Sequence, residues 1–308
     1  MGLNKEKEEN SMPSEDQAAS GVPKEGWAVG DRFSWKEILL RVIASADEEI
    51  SENPRGLFFS GLTAGFAIVL TLIGHATGRA QFPNNTFLAA ILYPIGFIYI
   101  ILGRYQLYTE NTLPPVKLVL MRLASIPLLL RLWGIVLFSN ILGTILGTFV
   151  MVHTNMLSQE VQEAAIGFVQ HALMLSWWDI FFRALFAGWL VAGVVWINMA
   201  AKDTITRFAL VYLVFFTIAA CQLFHVVTTA AEVLFVGFYD HSLFEIGQLF
   251  TQFWLPVLLG NTVGGVLVFT FVGYAQSERK FFPEVRVLNL REIFFSMKGG
   301  ESLKKPPR

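Results

Sequence analysis

Charged residues are scarce in this chain. Asp, Glu, Lys and Arg make up 15% of its 308 residues, against about 25% in ordinary soluble domains. Hydrophobic residues reach 54%, and the mean hydropathy is +0.53. The formal net charge is −1, so the chain lacks the strongly basic balance of nucleic-acid-binding proteins. We therefore exclude nucleic acid as a partner and expect membrane lipid to surround most of the chain.

Cysteine is almost absent. Cys221 is the single cysteine of the sequence, so neither an internal disulfide nor a cysteine metal cluster can form. The histidines His75, His153, His171 and His241 fall in predicted outer loops and are too scattered to suggest a metal site. We expect no metal and no cofactor.

The two ends of the chain lack long apolar runs. Residues 1–34 are rich in Glu, Lys, Ser and Pro and contain no apolar signal-peptide core, which predicts a disordered cytoplasmic tail. Residues 35–50 have apolar positions at helical spacing, such as Ile38 and Val42, which predicts an amphipathic helix on the membrane or on a neighbouring subunit. Residues 277–308 are of mixed charge and predict a cytoplasmic C-terminal tail.

Long apolar runs fill residues 51–276, the predicted channel domain. A bilayer core needs about 20 apolar residues per helix, and six runs approach that length. They cover residues 56–74, 87–121, 132–152, 184–201, 208–235 and 250–274. The polar segment 103–115 interrupts the second run, and the fifth contains Gln222, His225 and Glu232. We expect both of these helices to be broken or lined by polar groups.

Lys and Arg are distributed unevenly among the connections. The connections after the second and fourth runs and both tails carry them, whereas residues 153–179 and 237–252 have none and residues 77–86 have only Arg79. Because cytoplasmic loops retain Lys and Arg, both termini are predicted to be cytoplasmic. This orientation requires an even number of spans and agrees with six.

Three segments of the first half recur in order in the second half. Residues 57–65 align with 185–193, 106–109 with 222–225, and 140–143 with 261–264. Each half has three spans, so the second half must enter the membrane from the opposite side. The predicted fold is an all-α integral membrane protein of six transmembrane helices, arranged as two inverted three-helix repeats. In such transport folds the pathway lies near the midplane, where the second and fifth helices are broken.

Several motifs together make residues 38–276 resemble the formate/nitrite transporter family. They are Ser60-Gly-Leu-Thr-Ala-Gly65, Tyr93-Pro-Ile-Gly-Phe97, Leu107-Tyr-Thr-Glu-Asn-Thr112, His225 in the interrupted fifth run, and Gly260-Asn-Thr-Val-Gly-Gly265. The resemblance implies an aquaporin-like fold in the inner membrane and a homopentamer with one pore in each protomer. It also implies small monovalent anions such as formate or nitrite as substrates.

The same resemblance implies a pore site. In the family, a threonine in the loop of the second helix faces a histidine in the break of the fifth, and the matching residues are Thr109 and His225. The residues that match apolar constriction positions are Tyr93, Phe97, Leu107, Val191 and Ile218. Further pore-lining or pairing candidates are Arg104, Glu232, Thr229, Gly188, Asn140 and Asn261.

The segment around the histidine departs from the family pattern. The typical Gly-Phe-Glu-His-Ser-Val-Ala-Asn is Gln222-Leu-Phe-His-Val-Val-Thr-Thr229 here, so Thr229 replaces an asparagine. Gly188 stands where well-studied members have a pore-facing asparagine, and Ala172 stands near their vestibule lysine. The resemblance therefore implies a divergent branch of the family.

His225 is the histidine that the sequence places inside an apolar run, and an ionisable residue at that depth is functional by default. The plain alternative is a neutral imidazole held by a loop carbonyl or hydroxyl. An anion between apolar rings incurs a desolvation penalty of about several kcal/mol. Histidine titrates near neutral pH and helix N-termini favour anions, so both can lower that penalty. We predict that His225 is a proton partner and that Thr109 orients it or the anion.

Arg104 and Glu232 are the other ionisable residues predicted at depth. Intramembrane charges usually pair, which favours a structural salt bridge between them. The alternative interpretation is that Arg104 attracts an anion.

Two other functions stay open. An aquaporin-type channel for neutral solutes would share the inverted repeat but normally has two Asn-Pro-Ala signatures, whereas Asn84 and Asn85 follow a proline and Asn261 precedes a threonine. A membrane enzyme would bring several ionisable groups into one site, and a sensor would carry a soluble output domain. The preferred prediction is a non-enzymatic channel or transporter for small weak-acid anions and protons.

Overall fold

The structure, a computed structural model, describes residues 33–240, 243–275 and 286–299. Within these ranges the secondary structure is helical, apart from an isolated β-bridge between Ala124 and Gly299. The all-α prediction is therefore confirmed for the described part of the chain. Of the predicted tails, residues 1–32, 277–285 and 300–308 lie outside the described residues, as does His241.

Short connections join successive helices. In chain order these are α1 (Trp35–Ser51), α2 (Pro54–Gln81), α3 (Thr86–Ala89), α4 (Ile95–Leu102), α5 (Pro114–Leu120), α6 (Ile126–Val152), α7 (Gln159–Leu173), α8 (Trp177–Ala200), α9 (Thr204–Ala220), α10 (Val226–Asp240), α11 (Leu243–Leu249), α12 (Leu255–Val263), α13 (Val272–Ala275) and α14 (Leu290–Phe295). A 3₁₀ turn, Glu110–Thr112, precedes α5, and π-helical stretches at Phe250–Trp254 and Gly264–Phe271 flank α12.

Three of the described helices, α2, α6 and α8, are long and apolar enough to cross a membrane by length and composition. Helix α9 and residues Val226–Tyr239 of α10 are also apolar but shorter. Many large apolar side chains on these helices face outward, including Phe138, Trp178 and Phe182. Such an exterior is expected when lipid or another subunit replaces water as the surroundings.

Helix α1 packs on the chain's own helices. A capping box opens it, because the Ser34 hydroxyl accepts the Glu37 backbone N–H and the Glu37 carboxylate accepts the Ser34 backbone N–H. Its apolar face lies mainly against α5, with smaller contacts to α6 and α8. The buried residues of that face are Leu39, Val42, Ile43, Ala46 and Ile50.

The described part of the C-terminal tail packs beside α1. The Leu288 backbone N–H donates to the Arg122 carbonyl at 2.9 Å, and the Ser125 N–H donates to the Lys298 carbonyl at 3.0 Å. Helix α14 lies against α6 and buries Ile293 in the same apolar cluster as α1. These contacts cover the end of the bundle where α6 begins.

Two helix crossings repeat each other closely. Helix α2 crosses α6 at Gly65, where an added Cβ would overlap the Asn140 carbonyl oxygen. Helix α8 crosses α12 at Gly188, where an added Cβ would overlap the Asn261 carbonyl oxygen. Close backbone contact through small residues is the usual way membrane helices pack. Gly188 is therefore a close-packing position between α8 and α12, and its place in the pore lining stays a prediction.

The second and fifth apolar runs are each interrupted by the same turn. After both α4 and α9, the next three backbone N–H groups donate hydrogen bonds to the carbonyls four, three and five residues earlier, in that order. This is the Schellman motif, which needs one residue in the left-handed region. Arg104 (φ 57°) and Gln222 (φ 53°) supply that conformation. Each helix then stops, and a loop leads into the next one, α5 or α10.

Candidate functional site

One asparagine holds the loop that follows α4. The side-chain Oδ1 of Asn140 accepts the Tyr108 backbone N–H at 3.0 Å. Its Nδ2 donates to the Gln106 carbonyl at 2.9 Å and to the Gly61 carbonyl at 2.8 Å. Asn140 is fully buried, so one amide satisfies three backbone groups and ties the loop to α2.

A second asparagine does the same for the loop after α9. Asn261 Oδ1 accepts the Val226 backbone N–H at 2.8 Å. Its Nδ2 donates to the Phe224 carbonyl at 2.9 Å and to the Ala184 carbonyl at 2.7 Å. We call the two arrangements the amide clamps. Asn140 and Asn261 were predicted to line the pore or to pair with another group. In the structure their side chains form hydrogen bonds with backbone groups.

The amide clamps correct the register of the predicted repeat. Their contacts match Gly61 with Ala184, whereas the sequence comparison matches Gly61 with Trp189. They also match Gln106 with Phe224 in place of Gln222. Small and apolar residues recur every few positions on close-packed membrane helices, so short matches can align about a turn out of register.

The pair Thr109 and His225 lies between the two breaks. Thr109 Oγ1 is 2.7 Å from His225 Nε2, and each residue is 1% exposed. The predicted juxtaposition of these two residues is therefore present. His225 Nδ1 is buried and has no hydrogen-bond partner among the described residues. His225 immediately precedes α10, so the N-terminus of that helix lies at the break.

Aromatic rings enclose His225 on one side. The Phe97 ring is 4.8 Å from the imidazole, edge to face, and stacks on Phe215 with centroids 3.6 Å apart. Tyr93 lies 5.6 Å from Phe97. Phe215 was missed by the sequence analysis, although it lies on α9 seven residues before Gln222, just as Phe97 lies on α4 seven residues before Arg104. The corrected register, in which Arg104 matches Gln222, would have revealed it.

The other predicted constriction residues are buried in the same apolar cluster. Leu107, Val191 and Ile218 are each fully buried and belong to the cluster that contains Tyr93 and Phe97. Leu107 precedes Thr109 in the first loop, and Ile218 lies one turn after Phe215 on α9. All five predicted constriction residues thus belong to one buried apolar cluster, and the Phe97 ring is the one shown against His225.

A narrow pocket of about 10 Å³, room for roughly one water molecule, lies beside His225. Its lining includes His75, Tyr93, Phe168, His225, Thr229 and Glu232. The Thr229 hydroxyl is buried and has no hydrogen-bond partner among the described residues. The prediction that His75 lies in an outer loop is wrong, because α2 continues to Gln81 and leaves His75 only 6% exposed.

The predicted ion pair between Arg104 and Glu232 does not form. Arg104 is exposed and pairs with Glu48 of α1, with Nη2 and Oε2 3.2 Å apart. Glu232 is buried on α10, and its Oε1 lies 4.0 Å from His75 Nδ1. The Schellman turn places the Arg104 side chain outside the bundle. The pattern of apolar residues along the sequence does not reveal this orientation. Within the described ranges, no group of three His, Cys, Asp or Glu side chains could hold a metal ion.

Comparison with known proteins gives the family. The model of the formate/nitrite transporter family matches residues 36–275. The chain belongs to the formate/nitrite transporter family. It is therefore a membrane transport protein and not an enzyme.

Relatives agree with this membership. The chain is 28% identical over 235 residues to the inner membrane protein YfdC of Escherichia coli strain K12, covering 75% of this chain and 74% of YfdC. A solved structure described as a pentameric formate channel with formate bound superposes with a TM-score of 0.61 at 21% identity, over 72% of this chain and 95% of that one. A solved ion channel of the same family superposes with a TM-score of 0.68 at 16% identity, over 79% of this chain and 100% of that one. These likenesses show that the fold is shared.

Proposed function

We propose that this formate/nitrite transporter family member carries small monovalent weak-acid anions across the membrane together with a proton. The observation that carries the proposal is the 2.7 Å contact between Thr109 and His225, buried where two helices are broken. An imidazole can accept or donate a proton near neutral pH, and the Thr109 hydroxyl can hold it, or a bound acid, by a hydrogen bond.

The surroundings of this pair support an acid rather than a bare hydrated ion. Phe97, Phe215 and Ile218 exclude water around His225, so a permeating anion would lose its hydration at a cost of about several kcal/mol. Sharing a proton with His225 removes most of the charge and hence most of that cost. The N-terminus of α10, which begins at Val226, adds favourable dipole energy for the fraction that stays anionic.

We further propose that six membrane spans build this pore as two inverted repeats. Helices α2, α6 and α8 would each form one span. The second would combine α3, α4 and α5, the fifth α9 and α10, and the sixth α11 to α13. The matched amide clamps and the matched Schellman turns support this arrangement. The distribution of Lys and Arg supports cytoplasmic termini, and the inner-membrane relative supports that location.

The same comparison supports an oligomeric assembly. Because a structural relative is a pentamer with formate bound, we propose that five copies assemble with a pore in each. Formate is then a natural first substrate to test, alongside nitrite and acetate.

The experiment is anion flux into liposomes that contain the purified full-length protein, at several pH values. We expect flux of at least one weak-acid anion to rise as the pH falls, because protonation and permeation are linked. His225→Phe keeps an aromatic ring but removes the proton site, and it should abolish the pH-dependent flux. His171→Phe, at an exposed position on α7, is the matched control.

Each other outcome has a definite meaning. An unchanged flux and pH profile in His225→Phe would remove His225 from the mechanism. Flux of glycerol or water without pH dependence would instead identify a neutral-solute channel of aquaporin type.

A further inference from the structure

A second pair of ionisable side chains is buried in the pocket beside His225. The His75 and Glu232 side chains are 7% and 4% exposed, with Nδ1 and Oε1 4.0 Å apart. At that distance the two do not hydrogen-bond directly to each other. Burying a carboxyl group and an imidazole among apolar helices is costly, so residues kept there usually serve a function. The mechanism proposed above uses neither.

The groups that face this pair include residues of α2, of the segment before α4 and of α7. On α2, Arg79 lies one turn beyond His75, and its guanidinium is 5.3 Å from the Phe168 ring of α7. Before α4, the Tyr93 ring lies 5.4 Å from the imidazole of His75. On α7, the ionisable residues are exposed and only the Phe168 ring touches His75. Helix α6 also packs against α10, and its ionisable residue Arg131 donates instead to the Ile50 and Glu52 carbonyls. Arg79 and Tyr93 are therefore the ionisable groups shown beside His75 and Glu232.

Two hydroxyl groups line the pocket between the pair and the central histidine, and their hydrogen bonds end at the His225 backbone carbonyl. The Thr228 hydroxyl donates to the His225 carbonyl at 3.0 Å, so the Tyr93 hydroxyl donates to Thr228 Oγ1, also at 3.0 Å. His225 and Thr229 line the same pocket as the pair. Once the pocket widens to admit an anion, that anion lies beside both the Glu232 carboxyl group and His225.

We propose that His75 and Glu232 form a second proton-binding site, which protonates the incoming weak-acid anion before it reaches His225. The inference rests on the proposed function. Arg79 attracts the anion to the pocket. The O–H bond of the Glu232 carboxyl group breaks, its electron pair stays on Glu232, and a new O–H bond forms on the anion, which becomes the neutral acid. His75 then accepts a proton from a hydronium ion on the pocket side, which leaves water behind. The imidazolium passes this proton through a bridging water molecule to the Glu232 carboxylate, which restores neutral His75 and the Glu232 carboxyl group.

This assignment differs from a structural role in a way that a pH profile can detect. With a proton donor in the pocket, anions are protonated locally even when the bulk solution is neutral. Without the donor, only the acid that is already protonated in bulk can proceed. Loss of the site should therefore reduce flux near neutral pH and spare it at acidic pH.

The test uses formate, nitrite and acetate flux into liposomes, with the full chain and the variants Glu232→Gln and His75→Gln. We expect each variant to lower flux at about pH 7.5 by roughly tenfold or more and to leave flux at about pH 5 within roughly twofold. Glu163→Gln and His171→Gln, at exposed positions on α7, are the matched controls and should behave as the wild type. Glu232→Asp should recover part of the flux near neutral pH.

A second measurement needs no substitution at the pair. Infrared difference spectra of the wild type, with and without anion, should show a protonated carboxyl band that the anion diminishes, and Glu110→Gln should keep that band. A band that anions leave unchanged would overturn the proposal, as would unaltered pH profiles in both glutamine variants. Equal loss of flux at both pH values would also overturn it, because it indicates a structural role. A wild type without any anion flux would instead overturn the proposed function itself.

Discussion

At the scale of single residues, each amide clamp concentrates three backbone hydrogen bonds on one side chain. Truncating Asn140 or Asn261 to alanine leaves one N–H and two carbonyls without that partner at a buried break. Each unsatisfied buried group costs about 1–3 kcal/mol.

We therefore expect Asn140→Ala and Asn261→Ala to lower thermal stability in detergent strongly and to abolish flux. Asn198→Ala is the matched control, because the Asn198 side-chain oxygen is buried without a partner among the described residues. Equal stability of all three variants would show that the loops close without the amides.

The residues of the candidate site could be predicted only in part from the sequence. His225 and Thr109 could be predicted because a histidine in an apolar run is conspicuous and the family pattern supplies its partner. Glu232 was noticed as an intramembrane charge, but its neighbour His75 was not, since the polar residues around Thr77 and Arg79 resemble the end of a span. A lone sequence gives no sign that α2 continues past them.

At the scale of elements, the docking of α1 contains a pH-sensitive contact. Glu49 accepts a hydrogen bond from the Ser45 hydroxyl at 2.9 Å, while its Oε2 is buried without a partner among the described residues. Burial raises the pKa of the Glu49 carboxyl to about 7, partly offset by the Ser45 hydrogen bond. The folded chain therefore binds this proton more tightly than the unfolded chain does.

This raised pKa predicts the direction of a stability change. The stabilisation is complete below the unfolded carboxyl pKa of about 4.3 and is lost as the pH rises to about 7, with no further loss above that. Glu49→Gln should flatten this part of the profile of unfolding temperature against pH. Glu163→Gln, at an exposed position, should leave the wild-type slope in place, and an identical slope in Glu49→Gln would refute the assignment.

Helix breaks were easier to foresee than their register. Polar residues inside two apolar runs indicate that the helices end there. Which positions correspond between the two halves depends instead on which backbones are in contact. Gly65 and Gly188 correspond because each admits an asparagine carbonyl, and several nearby small residues could have been matched equally well by sequence.

At the scale of the whole molecule, the proposed pentamer can be tested directly. Native mass analysis in mild detergent should give five copies of the 34.5 kDa chain. Exposed aromatic residues such as Phe138 and Trp178 are then shared between neighbouring copies and lipid. A stable monomer under conditions that preserve flux would contradict the assembly.

The amide clamps also bear on how the chain is made. The first clamp uses groups from α2, the first loop and α6 alone, so it is complete before α8 is synthesised. Unpaired backbone groups are poorly tolerated in a bilayer, and domains fold in the order of synthesis. The first half can therefore enter the membrane with its interrupted helix already closed. The second half, which carries its own clamp, can follow as an independent insertion event.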